Sequence, residues 1–369
     1  EFPVVKNRIF FDHAKVAPIS LRVRDAVRAF AADAAEFGTA HYAEWMRGVE
    51  DVRESFARLI NADPSEVAFV KNTSEGISIL ANGIDWRDGD NVVVPNIEFP
   101  ANVYPWMNLK RRGVETRLAR SVNGRVPFEV IADRVDDRTR VVSVSSVEAN
   151  SGFRNDLNRL GVFCRERGIF FCVDAIQSLG ALPMDVKKDH VDFLAADGHK
   201  WLMSVEGLGG VYVSSRALEK IHPAVVGWDS VVNATDYMNY DFTLRPDARR
   251  FEEGSFNVMS IRGLGAALSL LHEVCVKNIE ARLMALGDCI LEGLRRRGLK
   301  ILNSTLPGER SGIISFAAAD LAKLAAVMEK NRISLTVRDG LVRLSPHFYN
   351  TEAEVDRFFA VLDECGVKG

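Results

Sequence analysis

Two residues of opposite charge each stand where an apolar run stops: Asp174 closes "IFFCVD", and Lys200 follows "FLAADGH". A lysine at a strand end is by default a solvated turn residue. It becomes a nucleophile when desolvation or nearby positive charge lowers its pKa. A carboxylate at the end of a buried strand needs a cationic or proton-donating partner. Pyridoxal phosphate satisfies both demands, with the lysine as its Schiff base and the aspartate against its protonated pyridine nitrogen. The spacing of the two residues does not by itself single out that arrangement. A phosphate also needs a site, and "VAFVKNTSEGISILANGI" offers a strand, then Thr73 and Ser74, then an amphipathic helix. A helix N-terminus with free N–H groups and hydroxyls binds anions, although this stretch alone reads first as an ordinary N-cap. The glycines of "EGLGG" (206–210) do not form G-x-G-x-x-G, which argues against a nicotinamide dehydrogenase.

These residues need elements to position them. Apolar runs at 67–70, 91–95, 140–147, 169–174, 191–196 and 210–214 alternate with helical stretches. Continuous apolar strands separated by helices indicate a mostly parallel sheet covered on both faces. The expected fold is therefore α/β, with a three-layer αβα large domain over residues 20–249. The runs continue into "KNTSEG", "NIEFPAN", "EANSG", "DAIQS" and "DGHKW". Polar and small residues thus gather at the strands' carboxyl ends, where open α/β sheets bind ligands. From about Arg250 short strands alternate with helices. This predicts a smaller α+β domain over 250–369, joined by the N-terminal segment 1–19.

Composition bounds the function. The chain has 369 residues, 47% of them hydrophobic and 26% charged, with a net charge of -3, so no concentrated basic surface for nucleic acid is expected. "RRR" at 295–297 reads as the solvated end of an amphipathic helix. Five scattered cysteines form no C-x-x-C pair and no Cys/His cluster, so no metal site is expected. An odd, unclustered set suits a reducing cytoplasm. No apolar stretch approaches the length of a membrane span and no signal peptide is apparent; the expectation is a cytoplasmic protein that does not engage a membrane.

The order of motifs resembles the class V aminotransferase family of fold-type I pyridoxal-phosphate enzymes. It is most similar to the branch holding isopenicillin N epimerase-like proteins and the selenocysteine lyase/cysteine desulfurase group. The match runs from "FFDHAKVAP" to "RLSPHFYNTEAEVDRF", and "VDAIQSLG…DFLAADGHKWL…EGLGGVYV" is its most specific part, with "FEEGSFNVMSIRGLGAAL" in support. The resemblance implies that Lys200 carries the cofactor and that Asp174 pairs with its pyridine nitrogen. Gln177 and Asn150 would face its phenolic oxygen, and Thr73, Ser74 and His199 its phosphate. Phe99 falls where desulfurases carry a stacked histidine; a phenylalanine stacks but exchanges no proton. Ser255 falls where relatives reach the neighbouring subunit's phosphate, which implies a homodimer with shared sites, a plain structural hydroxyl being the alternative. Arg343 would clamp the substrate carboxylate, or else sit in a buried ion pair. His13, Lys15, His41, Tyr42 and Arg338 line the substrate side or the surface.

Two departures qualify the resemblance. No cysteine lies between Arg338 and Arg343, where desulfurases carry a nucleophilic one, so a persulfide-forming desulfurase is disfavoured. Asp197 stands where many desulfurases place a phosphate-binding serine; it needs a proton or a partner such as His199, or it points away and caps a turn. The expected activity acts at Cα of an amino-acid-like small molecule, with transamination as the family default. Epimerisation, racemisation and C–S or β-lyase chemistry stand as alternatives, and a non-catalytic binding module is weighed against all of them.

Overall fold

Alternating residues of the central strands go to opposite cores, which is why their sequences are apolar throughout. In the computed structural model, which describes residues 1–306 and 308–366, Val142, Val144, Phe171, Val173 and Leu194 face one layer of helices. It includes Phe56 of helix Tyr42–Leu59 and Leu264 of helix Val258–Val274. Val141, Phe170, Cys172 and Phe193 face the other layer, against Ile77, Leu80 and Trp106. The sheet is mostly parallel and flanked by helices. Its order is Val67–Val70, Gly209–Val213, Phe193–Asp197, Phe170–Asp174, Thr139–Ser145, Asn91–Pro95, Glu115–Ala119. Gly209–Val213 runs antiparallel to both of its neighbours.

One strand is absent from the sequence reading. Glu115–Ala119 is an edge strand, and Arg117 pairs with Glu115 and Asp136 along it. Edges are commonly charged, which blocks further pairing and also erases the apolar run that marks a strand.

After Arg250, helix Val258–Val274 packs on helices Leu21–Phe37 and Tyr42–Leu59. The chain then breaks at Cys275, whose φ is +70°, and helix Val276–Arg296 departs at 76°. A second core gathers Phe11, Leu286, Ile290, Val342, Leu344 and Phe358. Above it lies a three-stranded antiparallel sheet, Thr336–Arg338, Leu341–Leu344 and Ile314–Ala317. Ile9–Phe10 pairs in parallel with Ile333–Ser334, and Asp12 bridges to Ser345. The first residues of the chain are thereby laid beside the last strands. Among the described residues no single helix is long and apolar enough to cross a membrane.

Candidate active site

A cavity of about 890 Å³ opens over the carboxyl ends of the large sheet. Its floor comes from neighbouring strands. Ser145 pairs with Asp174, so two strand ends lie level, and Asp174 pairs with Ala195, beyond which the third strand runs two residues further to Asp197. Asp174 is buried at 1% exposure. One of its oxygens accepts the Ile176 N–H at 3.0 Å; the other is buried with no partner. Burial pushes its pKa up to about 6, against the opposing pull of that N–H and of Lys200. Lys200 follows the adjacent strand, is itself buried, and has its pKa pushed down to about 8, chiefly by desolvation. An amine that deprotonates near neutrality and an orphaned carboxylate oxygen therefore share one enclosure.

The helix Thr73–Gly83 points its N-terminus into the same cavity, with Asn72, Thr73 and Ser74 in the wall. Its N-cap is Asn72, whose side chain accepts the Glu75 N–H at 2.9 Å. Thr73 and Ser74 therefore lie in the first turn, where helical N–H groups have no intrahelical partner. Gly76 lets the helix sit close on the sheet: a Cβ there would stand 2.8 Å from that of Ala195. The Thr73 hydroxyl accepts the Asp197 N–H at 3.1 Å and ties helix to strand.

Asp197 does not turn away. Its side chain lines the cavity, with one carboxylate oxygen 3.1 Å from Nδ1 of His199 but out of line for a hydrogen bond. Of the two alternatives, the structure favours a histidine partner over the cap. Phe99 is also in the wall, its ring centre 5.3 Å from Lys200 Nζ. Gln177 lines the cavity with its amide already engaged, donating to the Ala14 carbonyl at 3.1 Å and accepting from Trp201 at 3.0 Å. Asn150 is a different matter. The wall residue at that point is Ala149, and the Asn150 side-chain oxygen accepts from Arg338 at 2.6 Å. Ser255 lies outside the cavity, exposed in a separate depression with Lys71 and Glu75.

Arg343 projects from strand Leu341–Leu344 while Val342 and Leu344 enter the second core. It lines the cavity at 5% exposure, donates to the Ala149 carbonyl at 2.9 Å, and leaves Nε buried without a partner. Burial pushes its pKa down to about 10. The nearest acid is Asp12, at 3.8 Å. Arg338 and Lys15 also reach the cavity. His13 is fully buried between the Ser345 carbonyl and the Tyr349 hydroxyl, with its pKa lowered by desolvation. His41 pairs with Asp33 at 2.7 Å and Tyr42 is exposed, both away from the cavity.

Sequence reasoning missed three acids. Asp12 is placed beside Arg343 by Thr336, whose hydroxyl donates to it at 2.6 Å. Glu98 turns its carboxylate inward, accepting the Ser145 N–H and hydroxyl at 2.5 and 2.6 Å, and burial pushes its pKa up to about 8. Glu148 is fully buried with one orphaned oxygen, and its pKa stands well above the carboxylate range. An acid in a loop after a strand carries no sequence signal of burial. Between Arg338 and Arg343 only Asp339 and Gly340 make the turn, with φ of +53° and +80°. Both values belong to a two-residue hairpin turn, so a cysteine-bearing loop has no place there. Among the described residues no cysteine lines the cavity, and no cluster of metal-ligating groups occurs.

A profile of the family described as aminotransferase class-V matches residues 9–358. The chain belongs to the class V aminotransferase family. A protein of Methanothermobacter thermautotrophicus named probable cysteine desulfurase is 30% identical, over all of this chain and 97% of its own length. An uncharacterized aminotransferase of Bacillus subtilis, YcbU, is 26% identical over 96% of this chain and 92% of its own. In fold, the chain superimposes on the cystine C–S lyase C-DES, solved with cysteine persulfide, at a TM-score of 0.92. The two are 24% identical, with full coverage of both chains. A cysteine desulfurase of Thermococcus onnurineus NA1 gives 0.90 at 24% identity, over 99% of this chain and 96% of its own.

Family members use pyridoxal phosphate, and the residues present fit it. The orphaned oxygen of Asp174 suits a protonated pyridine nitrogen, Lys200 is the amine that would hold the aldehyde carbon, and the open helix N-terminus suits the phosphate. The cofactor is pyridoxal phosphate, and the chain is an enzyme acting at Cα of an amino-acid-like substrate.

Proposed function

We propose that the protein is an aminotransferase, with Lys200 and Asp174 catalytic and Arg343 binding the substrate carboxylate. When bound, pyridoxal phosphate draws electron density from the substrate's Cα and makes its C–H bond acidic. Lys200 takes that proton as general base, and its pKa near 8 keeps a usable fraction neutral at physiological pH. Asp174 would hold the pyridine nitrogen positive. Thr73, Ser74 and His199 would hold the phosphate, and Phe99 would offer its ring for stacking. Arg343 fixes the carboxylate, its unpaired Nε being ready for a second bond.

The observation that carries this reading over the others is the wall around Lys200. Phe99 stands opposite it with no proton to give, and no cysteine is present to take a sulfur atom. Epimerisation needs an acid on the second face of Cα. A persulfide relay needs a thiol. Transamination needs one base that returns the proton on the face from which it came. The second reading is a C–S lyase, supported by the relatives named probable cysteine desulfurase. With no cavity cysteine, sulfur would then leave as a free thiol or sulfide. An amino-acid panel with a 2-oxo acid acceptor separates the two. New amino acid formed from the acceptor marks transamination, whereas pyruvate and ammonia, released with sulfide from cysteine or with cysteine persulfide from cystine, mark the lyase.

We further read the protein as a cytoplasmic homodimer. Met238, Tyr240 and Phe242 are 90%, 96% and 70% exposed in one segment, a row of apolar side chains that a second copy could cover, and all five cysteines are free. Light scattering at micromolar protein tests the dimer. The reading of residues 250–369 as a separate domain joined by 1–19 is supported by the second core around Phe11 and Val342 only from helix Val276–Arg296 onward, since helix Val258–Val274 packs in the core of the large domain.

A further inference from the structure

The substrate half of the cavity is more basic than an amino acid's single carboxylate requires. Arg343 suffices for that carboxylate. Yet Lys15 and Arg338 also line the cavity, and both stand close enough to Asp12 to lower its pKa, as Arg343 does. Three basic side chains thus surround one buried acid. Asp12 is itself taken up by Thr336 and sits 3.8 Å from Arg343. Lys15 has no acidic partner within 4 Å among the described residues. Arg338 donates to the neutral Asn150 side chain at 2.6 Å; its one acid, Asp339, is 3.4 Å away and two-thirds exposed, where water screens the pair. Arg338 also depresses the pKa of both Arg343 and Lys200, so its charge is felt inside the cavity.

Lys15 and Arg338 are both exposed at the cavity mouth, where water screens their repulsion, and an anionic ligand there would meet two cations with no firm acidic partner. The same cavity is lined by Phe10, Met328 and Leu335, together with the Arg8–Glu329 ion pair. There is room for a side chain with an apolar stem. We propose that the substrate is an α-amino acid whose side chain ends in a second anionic group. Arg343 takes the α-carboxylate, and Lys15 and Arg338 take the side-chain anion. This rests on the aminotransferase reading only for the amino group; the anion sites stand on their own geometry.

The test is calorimetric binding to cofactor-saturated protein, comparing glutarate, adipate and suberate with the monocarboxylates of equal chain length. The dicarboxylates are expected to bind at least tenfold more tightly. Lys15→Met and Arg338→Met should each cut that preference severalfold, and the double variant should abolish it while still binding monocarboxylates. Arg343→Met should weaken both series. Equal affinity of the two series for the wild type, a preference that survives the double variant, or indifference to Arg343→Met would each overturn the proposal. A protein that takes up no pyridoxal phosphate would end the aminotransferase reading. The same titrations on the protein as isolated would still decide the anion sites.

Discussion

The floor and the rim of the cavity are built on different plans. The floor is acid-rich: the ends of paired strands carry Asp174, in the parallel ladder, and Asp197, paired antiparallel with Gly209, with the inward-turned Glu98 and Glu148 nearby. The rim is basic and assembled from the first residues of the chain and a hairpin more than 300 residues away. On the proposed reading, the floor would hold what every reaction of the family shares, and the rim what selects a substrate. Changes to the floor should therefore alter chemistry and stability, and changes to the rim should alter binding.

The largest effect belongs to Lys200→Ala. It should remove the violet-blue absorbance band of the purified protein and lower turnover by about 10³-fold or more. A variant that keeps the band would undo the assignment of the floor. On the rim, Arg343→Ala should raise KM for an amino acid by about 100-fold, near 3 kcal/mol, with a smaller change in kcat. An equal fall in kcat would mean that the two regions are not separable.

Asp174→Asn separates function from stability. The folded protein raises the Asp174 pKa from 3.8 to about 6, so folding favours the protonated form. The resulting penalty is absent below pH 3.8, grows as pH rises to about 6 and is complete above it. It is worth about 3 kcal/mol. Cofactor-free Asp174→Asn should therefore be more stable than wild type at pH 8 by about that amount and no more stable at pH 4, as read by urea denaturation. A variant that is less stable at pH 8 would show that the buried carboxylate holds the floor together instead of straining it.

Lys200 offers a pH test of the same region. Burial lowers its pKa from 10.5 to about 8, and the neutral amine is the reactive form. Cofactor uptake by the cofactor-free protein, followed by absorbance, should quicken as pH rises and level off above about 8. A midpoint near 10 would mean a solvated lysine. The smallest effect is expected at the rim's turn. Gly340→Ala places a side chain at φ +80° and should lower stability by about 1 kcal/mol, with KM changed less than by Arg343→Ala.

The floor was legible in the sequence and the rim only in part. Lys200, Asp174, Thr73 and Ser74 each lie at the end of an apolar run or within four residues of it, and in a parallel sheet such positions emerge at one edge. Local pattern alone therefore brings them together. Asn150 shows the limit: Ala149 lines the wall while the Asn150 side chain is taken up by Arg338, and the short segment after a strand carries no periodicity to settle which of the two it will be. Glu98 and Glu148 were invisible because an acid in a loop is exposed by default, and only the closing of neighbouring strands around them makes it otherwise. Asp12 was invisible for another reason. It depends on the pairing of Ile9–Phe10 with Ile333–Ser334, a contact between opposite ends of the chain. By itself the sequence determined the parallel sheet, the lysine, its aspartate and the helix start, because each is written within a few residues. Tertiary structure decided the charge balance around Arg343, because electrostatic partners are set by distance in space and not along the chain.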